Sequence, residues 1–566
     1  VGSTTWVTVV TALYGDTGVG MNEYALVKKS LRTFMPGAVM ITMTSTVATF
    51  LNVAIGSYFL GSGFAASISG ASVYTLLLSS VAAILNIGGL ISFAMHRFHS
   101  DRKGASSSFT LTMVLVLVFG GAFLLVCLLT APSVPPYAHI LVHDYIIAVG
   151  FSAIPVMVLQ ICITSMWIDD DKWLSIFCFL VYVVADVVLE IFLFEGHNYA
   201  KFGPGICATY ASLLSLLFVA FHYHREGRYM RLSIPSNISK DVKRLLKTGM
   251  RSFVNRASMI VRYSFLGAVI ASSTVADMNC IGAQTTLFHL VMAIFSGTAL
   301  MCAILTSWAY SEGNREGVLA AVGRTIYVGF AISVMITAIV LIASEELLVF
   351  IKNDYDIYDS SLNCLNWFAI SIPTTTVSVS LIYAYQSTKR KLLSVALTVF
   401  RGAVAVIVPV TVLVPYIGPA AIWTVFLLSD LIFLLSIYVI SSVHNRHLTR
   451  NLEDLLMLSG PNMETAPVFY GMARSDDTAG LLDRLSESLS SSGIGPETSE
   501  KVYASVSGIL DSISKNSAKV CNIRVLVRSD EKVTVNIHDD ADKSKDVLEG
   551  VKHYFVLGQN KYVASF

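Results

Sequence analysis

Two carboxylates stand inside a strongly apolar run: Asp186 and Glu190, four residues apart between positions 174 and 194. In a helix that spacing stacks both side chains on one face. Two carboxylates so close repel when both are ionised, and burial favours the neutral acid. The pair is therefore suited to hold one proton between them, or to ligate a hard cation such as Na⁺ through oxygen. The alternative is that Glu190 sits at an outer membrane interface while Asp186 caps or hydrogen-bonds a neighbouring helix. Four further charges fall in apolar runs: Arg256, Arg262, Arg401 and Asp430. If they line a cavity, its second half is cationic and suits an anionic or lipid-like substrate. Arg256 and Arg401 lie near one end of their runs and can snorkel outward. Arg262 and Asp430 lie deeper and are placed to pair. Pro155 and Pro373 each interrupt an apolar run, where a missing backbone donor kinks a helix. Each kink is either a packing feature or a bend that changes between two states. The eight Cys are scattered, with no pair at metal-ligand spacing. They serve as small apolar fillers, and no metal site is expected beyond Na⁺ at Asp186 and Glu190.

The elements that must hold these groups are membrane helices. Of 566 residues, 54% are apolar and 14% charged, against about 25% charged in soluble domains. About a quarter of the residues after 442 are charged, and only about a tenth before it. A single soluble enzyme is excluded, and a membrane domain followed by a small soluble tail is implied. Apolar runs long enough to span a bilayer fall near 33–60, 69–95, 109–131, 143–167, 174–194, 204–223, 249–272, 283–309, 321–343, 359–386, 392–415 and 418–442. Twelve spans place twenty Lys and Arg on one side, from Lys28 to Lys391, and only Lys201 and Lys352 on the other. The positive-inside rule then puts both termini in the cytoplasm, and the cytoplasmic membrane is the expected location. Residues 1–20 lack the basic start and cleavage site of a signal peptide, and Met21 offers an alternative start. With a net charge of +1, no nucleic acid partner is expected.

The chain repeats itself. The loop Ser100-Asp101-Arg102-Lys103-Gly104-Ala105 recurs as Gly313-Asn314-Arg315-Glu316-Gly317-Val318, 213 residues on. Gly70-Ala71 and Gly282-Ala283, Pro155 and Pro373, and Lys172 and Lys389 recur at offsets of 212, 218 and 217. The fold class expected is an all-α polytopic membrane protein: two six-helix halves in the same orientation, then an α+β tail. The expected boundaries are a lead-in at 1–30, halves at 31–224 and 249–442 around a basic connection at 225–248, a linker at 443–478, and the soluble domain at 479–566. Repeated halves commonly enclose a central site and rock to alternate access.

Several segments resemble the multidrug and toxic compound extrusion (MATE) transporters. They are AIGSYFLGSGFAA (54–66) between spans 1 and 2, SDRKGA (100–105) after span 2, DVVLEIFLF (186–194) in span 5 and FGPGICATYAS (202–212) entering span 6. The resemblance covers about residues 30–442. It implies cation-coupled export of amphipathic organic compounds. It also implies a cation site built from an acid in span 1, an Asn and Asp in span 5 and a Thr in span 6. Here the span-5 pair is Asp186 and Glu190, and the Thr position is Thr209. The span-1 acid is missing around Asn52. Asp186 is then the substitute second carboxylate, with Asn52 offering a neutral oxygen.

The tail is expected to hold a helix at 479–490, a second from Pro496 with Val502, Val506, Ile509, Leu510 and Ile513 on one face, and a hairpin. The hairpin alternates through Cys521–Val527 and Val533–Ile537 about a turn at 529–531. A short helix near 542–550 and a strand near 560–566 follow. KVTVNIHDDA (532–541) and GQNKYVASF (558–566) resemble the histidine-kinase-like (GHKL) ATP-binding fold. The family's catalytic Glu and Mg²⁺-holding Asn would fall at Gly508 and Ser512, neither of which can serve, and Ala541 replaces a box glycine. Asp539 or Asp540 could still meet an adenine amine, but ATP binding is not expected. A degenerate regulatory module is, with a possible regulatory partner. No phosphate-binding loop of the Gly-x₄-Gly-Lys-Ser/Thr type occurs, which argues against ATP-driven export. The whole reads as a non-enzymatic, monomeric secondary transporter for small amphipathic compounds, driven by H⁺ or Na⁺, with no tightly bound cofactor. The alternatives are a flippase for lipid-linked intermediates and a non-transporting membrane sensor that signals through the tail.

Overall fold

The computed structural model describes residues 21–60, 72–98, 101–133, 140–169, 171–196, 203–225, 227–235, 238–270, 275–311, 314–352, 359–388, 390–418, 420–458, 469–474, 478–491, 494–515, 520–527, 533–540, 551–556 and 559–566. The first half holds α1 (Met21–Leu60), α2 (Ser72–Phe98), α3 (Arg102–Thr130), α4 (Ile140–Ile168), α5 (Lys172–Gly196) and α6 (Gly203–His224). The second holds α7 (Ile238–Ile270), α8 (Val275–Ser311), α9 (Arg315–Ile342), α10 (Ser344–Lys352), α11 (Asp359–Ser387), α12 (Lys391–Val399), α13 (Ala405–Ile417) and α14 (Ala420–Asn445). Among the described residues nine helices are long and apolar enough to cross a membrane. The other three expected spans, the first, seventh and eighth, fall on α1, α7 and α8.

Two boundaries differ from expectation. The lead-in and the basic connection are partly helical, because α1 starts at Met21 and α7 at Ile238. Their first turns are polar, so hydropathy alone does not include them. Residues 1–20, the Gly70-Ala71 landmark, the turn at 529–531 and the helix expected near 542–550 lie outside the described residues.

The repeated loop makes the same local structure twice. Asp101 caps α3 by accepting from the Gly104 amide at 2.9 Å, with φ −83° and ψ 89°. Asn314 caps α9 by accepting from the Gly317 amide, with φ −82° and ψ 88°. Each satisfies an otherwise orphaned first-turn donor. Pro155 lies inside α4 and Pro373 inside α11.

The halves meet chiefly along two helix pairs, α1 with α8 and α2 with α7. Glycine permits both crossings. A Cβ on Gly249 would collide with the Ile84 carbonyl, one on Gly88 with that of Leu245, and one on Gly297 with the Val39 backbone. At the end that carries the Lys- and Arg-rich loops, Val27, Leu31, Leu300, Met301, Leu305 and Ala321 close the seam with an apolar cluster drawn from both halves.

After α14, the chain folds back through α15 (Leu452–Leu455); its Leu452 and the following Leu456 and Met457 are buried in the second half's core. Arg390 donates to the Met457 carbonyl, and Arg315 pairs with Glu453. The expected linker at 443–478 is thus partly packed. It also ends in a strand that was not expected, β1 (Phe469–Arg474). Then come α16 (Thr478–Ser491), α17 (Pro496–Lys515), β2 (Val520–Val527), β3 (Val533–Asp539), β4 (Lys552–Val556) and β5 (Gln559–Ser565). β4 falls just past the stretch expected to be helical. The sheet is antiparallel in the order β1-β2-β3-β5-β4. Leu481, Leu485 and Leu489 with Val502, Val506 and Ile509 cover its apolar face.

Candidate functional site

α5 has two faces. Phe177, Leu180, Val184, Val188 and Phe192 are exposed at helical spacing, as a bilayer-facing stripe requires. Cys178, Tyr182, Asp186 and Glu190, each four residues apart, form the buried stripe opposite. Both carboxylates are fully buried, at 0% exposure. Glu190 is therefore enclosed by protein rather than exposed on the helix surface. Among the described residues none of the four carboxylate oxygens has a hydrogen-bond partner, so Asp186 is not engaged with a neighbouring helix there.

Tyr145 of α4, Tyr182 of α5 and Cys207 of α6 lie within electrostatic reach of both carboxylates. Sequence reasoning missed these phenols, although Tyr182 stands four residues before Asp186 and continues its stripe. Thr209 is half-buried on α6, and its hydroxyl donates to the Gly205 carbonyl at 2.8 Å. Asn52 is 8% exposed on α1, and its Oδ1 has no hydrogen-bond partner among the described residues. α1 packs on α5, and α4, α5 and α6 pack on one another. An ionised carboxylate buried without a counter-charge carries a desolvation penalty of several kcal/mol. What this buried carboxylate pair can do chemically is accept a proton or a small cation.

The second half corrects two expectations. Arg401 does not snorkel; it is 9% exposed, and its Nε donates to Asp430 at 2.6 Å. The cause is local: Phe400–Val404 forms a π-turn between α12 and α13, which shifts the helix register. Asp430 also accepts from the Thr375 hydroxyl at 2.5 Å. Its ion-pair partner is thus Arg401 rather than Arg262. Arg262, 3% exposed, lies over the rings of Phe288 and Phe426 at 4.9 and 5.2 Å, a cation–π arrangement. Arg256 is half-buried on α7.

Sequence reasoning also missed a charged network at the basic end. His222 is fully buried, with Nδ1 at 2.9 Å from Asp171 and Nε2 at 3.2 Å from Asp169. Asp169 accepts from Arg97 Nε at 3.2 Å and from the backbone amides of Tyr229 and Met230. Asp171 accepts from Arg225 at 2.7 Å. Burial works to raise the Asp171 carboxyl, but the His222 hydrogen bond and the charges of Arg225, His222 and Arg228 outweigh it and hold it below the usual range. The signal was in the sequence: an acidic triplet, Asp169-Asp170-Asp171, inside a set of basic loops. Among the described residues no group of three or more His, Cys, Asp or Glu could hold a metal ion.

Residues 252–412 match the MatE family model. No curated protein sequence is significantly similar to the chain. Several solved structures share its fold. An outward-facing multidrug resistance MATE family transporter of the MOP superfamily is 18% identical, with a TM-score of 0.60, over 75% of this chain and 95% of that one. An inward-facing structure of such a transporter is 16% identical, with a TM-score of 0.58, over 71% and 96%. A MOP superfamily transporter from Pyrococcus furiosus Vc1 (DSM3638), described as having a binding pocket of reverse polarity, is 17% identical, with a TM-score of 0.61, over 75% and 99%. The resemblance to MATE transporters holds: the chain carries a MatE match and the fold of that multi-pass membrane transporter family, which is not a family of enzymes.

Proposed function

We propose that the protein is a secondary transporter that exports small amphipathic organic compounds by alternating access, driven by H⁺ or Na⁺ exchange at Asp186 and Glu190. The observation that carries this is the pair itself, two fully buried carboxylates one turn apart with no hydrogen-bond partner among the described residues. Such a pair is stable when a proton or cation neutralises it, and strained when both are ionised. Asn52 and Thr209 are the neutral oxygens offered beside it. Twelve spans in two parallel six-helix repeats are the architecture we infer. The matched caps at Asp101 and Asn314 and the reciprocal α1–α8 and α2–α7 crossings support it. The basic end then faces the cytoplasm, with both termini, and the protein works as a monomer in the cytoplasmic membrane.

A second reading rests on Arg262, a buried cation between two phenyl rings in the second half. It favours an anionic or lipid-linked substrate. The tail is not proposed to bind ATP, because Asp539 accepts from Asn560 at 2.9 Å and Gly508 and Ser512 supply no Mg²⁺ ligands of the required kind.

The test is flux of a fluorescent amphipathic cation into proteoliposomes under an imposed pH gradient and then an imposed Na⁺ gradient. Asp186→Asn and Glu190→Gln are expected to lose gradient-driven flux. Full coupled flux in both variants would end the proposal, and flux of an anionic probe alone would favour the second reading.

A further inference from the structure

The tail sheet has an unexpected second face. Its apolar side is covered by α16 and α17. The opposite side carries Asn522, Thr534, Asn536, His538 and Gln559, polar residues that normally face water. All five are buried, none more than 7% exposed. Part of what covers this face is the basic end of the membrane domain. The Gln559 amide donates to the Leu26 carbonyl and to the Ser30 hydroxyl of α1, each at 2.9 Å. Lys29 of α1 donates to the Asp540 carbonyl. On the other half, Trp308 of α8 meets the His538 ring edge-on, with centroids 5.0 Å apart. Leu26, Leu305, Trp308, Asn522, His538 and Gln559 line one small cleft between sheet and helices.

These contacts reach both halves. α1 belongs to the first and α8 to the second, and the apolar cluster that closes the basic end lies between them. On the sheet side the contacts come from neighbouring strands, since β3 and β5 pair through Asp539 with Asn560 and His538 with Lys561. The Asn560 amide donates to Asp539 at this point, tying the two strands side chain to side chain. A sheet held that rigidly cannot follow two helices that move apart. We infer that the tail is a built-in clamp: its polar sheet face bridges α1 and α8 and holds the basic end closed until it undocks. The interface is made of an amide, an imidazole and an ammonium–carbonyl contact. Polar interfaces of this kind dissociate within a chain, unlike an apolar core. What the clamp regulates rests on the alternating-access reading; that it holds the seam does not.

Hydrogen–deuterium exchange of the full chain in nanodiscs tests it without any substrate. One variant changes the tail, Gln559→Ala with His538→Ala. The other leaves the tail sequence intact and changes the membrane side, Trp308→Ala with Ser30→Ala. Loss of two hydrogen bonds and one ring contact in the tail variant, and of one hydrogen bond and the same ring contact in the membrane-side variant, is expected to speed exchange at residues 26–34 and 303–311 by about tenfold in each, with α17 and α3 unchanged. If α17 itself loses protection in the tail variant, the membrane-side variant decides. Unchanged exchange at 26–34 and 303–311 in the deciding variants would overturn the inference. So would a rise spread equally over α3, which would mean general loosening. Failure of the transport assay would leave this result standing.

Discussion

Changing Asp430 to Asn measures how dry the second half is around its ion pair. The carboxylate is 1% exposed and accepts from Arg401 at 2.6 Å and Thr375 at 2.5 Å. An arginine does not lose its proton in a protein. In Asp430→Asn a buried guanidinium therefore faces an amide, and removing one partner of a buried pair costs about 3–5 kcal/mol. The Asn carbonyl can still accept one hydrogen bond, so about 3 kcal/mol is expected. Replacing both, Arg401→Met with Asp430→Leu, removes the stranded charge together with the pair, and should be neutral to within about 2 kcal/mol. Thr375→Val removes one hydrogen bond to a charged acceptor and should cost about 1.5–3 kcal/mol. The assay is SDS-titrated unfolding of the full chain in mixed micelles, followed by loss of helicity. A loss below about 1 kcal/mol for Asp430→Asn, the value of an exposed pair, would refute the reasoning. Arg401 and Asp430 would then be in contact with water, and so with any solute, and both would return as cavity residues.

Two further outcomes follow from the packing and the basic network. Gly249→Leu drives a side chain into the Ile84 carbonyl and should destabilise the α2–α7 crossing by about 1–3 kcal/mol or more in the same titration, whereas Gly121→Leu, with open space around its Cβ, should not. Asp171 is held below the usual carboxylate range, so its contribution is present above the unfolded-state pKa, about 3.9, and disappears as pH falls through the lower folded value. The stability gap between the natural chain and Asp171→Asn should therefore be full near neutral pH and shrink below about pH 4; a gap that widens on acidification would contradict this.

How much of the site was legible depends on the kind of information each residue carries. The α5 stripe was legible because helical period and amphipathicity are sequence properties: Asp186 and Glu190 had to share a face, and Val184 and Val188 had to take the other. Arg401 was not, because one extra residue in a π-turn rotates everything after it, and hydropathy does not register that. The helical entries of α1 and α7 were hidden for a related reason. Hydropathy reports where a helix meets lipid, while backbone hydrogen bonding carries the helix on through Lys28, Lys29, Lys243 and Arg244. The docking of the polar face of β2, β3 and β5 was not legible, because alternation tells core from non-core, and cannot tell water from a docked neighbour.

α1 connects these features. Its basic end holds the tail through Leu26, Lys29 and Ser30. Its middle crosses α8 where Gly297 admits Val39, and Gly37 lies against Trp167 of α4. Further along, Phe50 stacks on Phe350 of α10, with centroids 6.1 Å apart, and Asn52 is buried two residues later. The same helix packs on α5, which carries Asp186 and Glu190. Pro36 leaves it one backbone hydrogen bond short near the level of the seam. If the pair couples transport as proposed, a proton or cation entering it would change the charge beside α1, which touches the other half at its basic end, at Val39 and at Phe50, and the tail at its basic end. The lack of an acid around Asn52 then has a physical sense. With both proposed coupling charges on α5, a shift of α1 at the Asn52 level would not drag a buried carboxylate along its path.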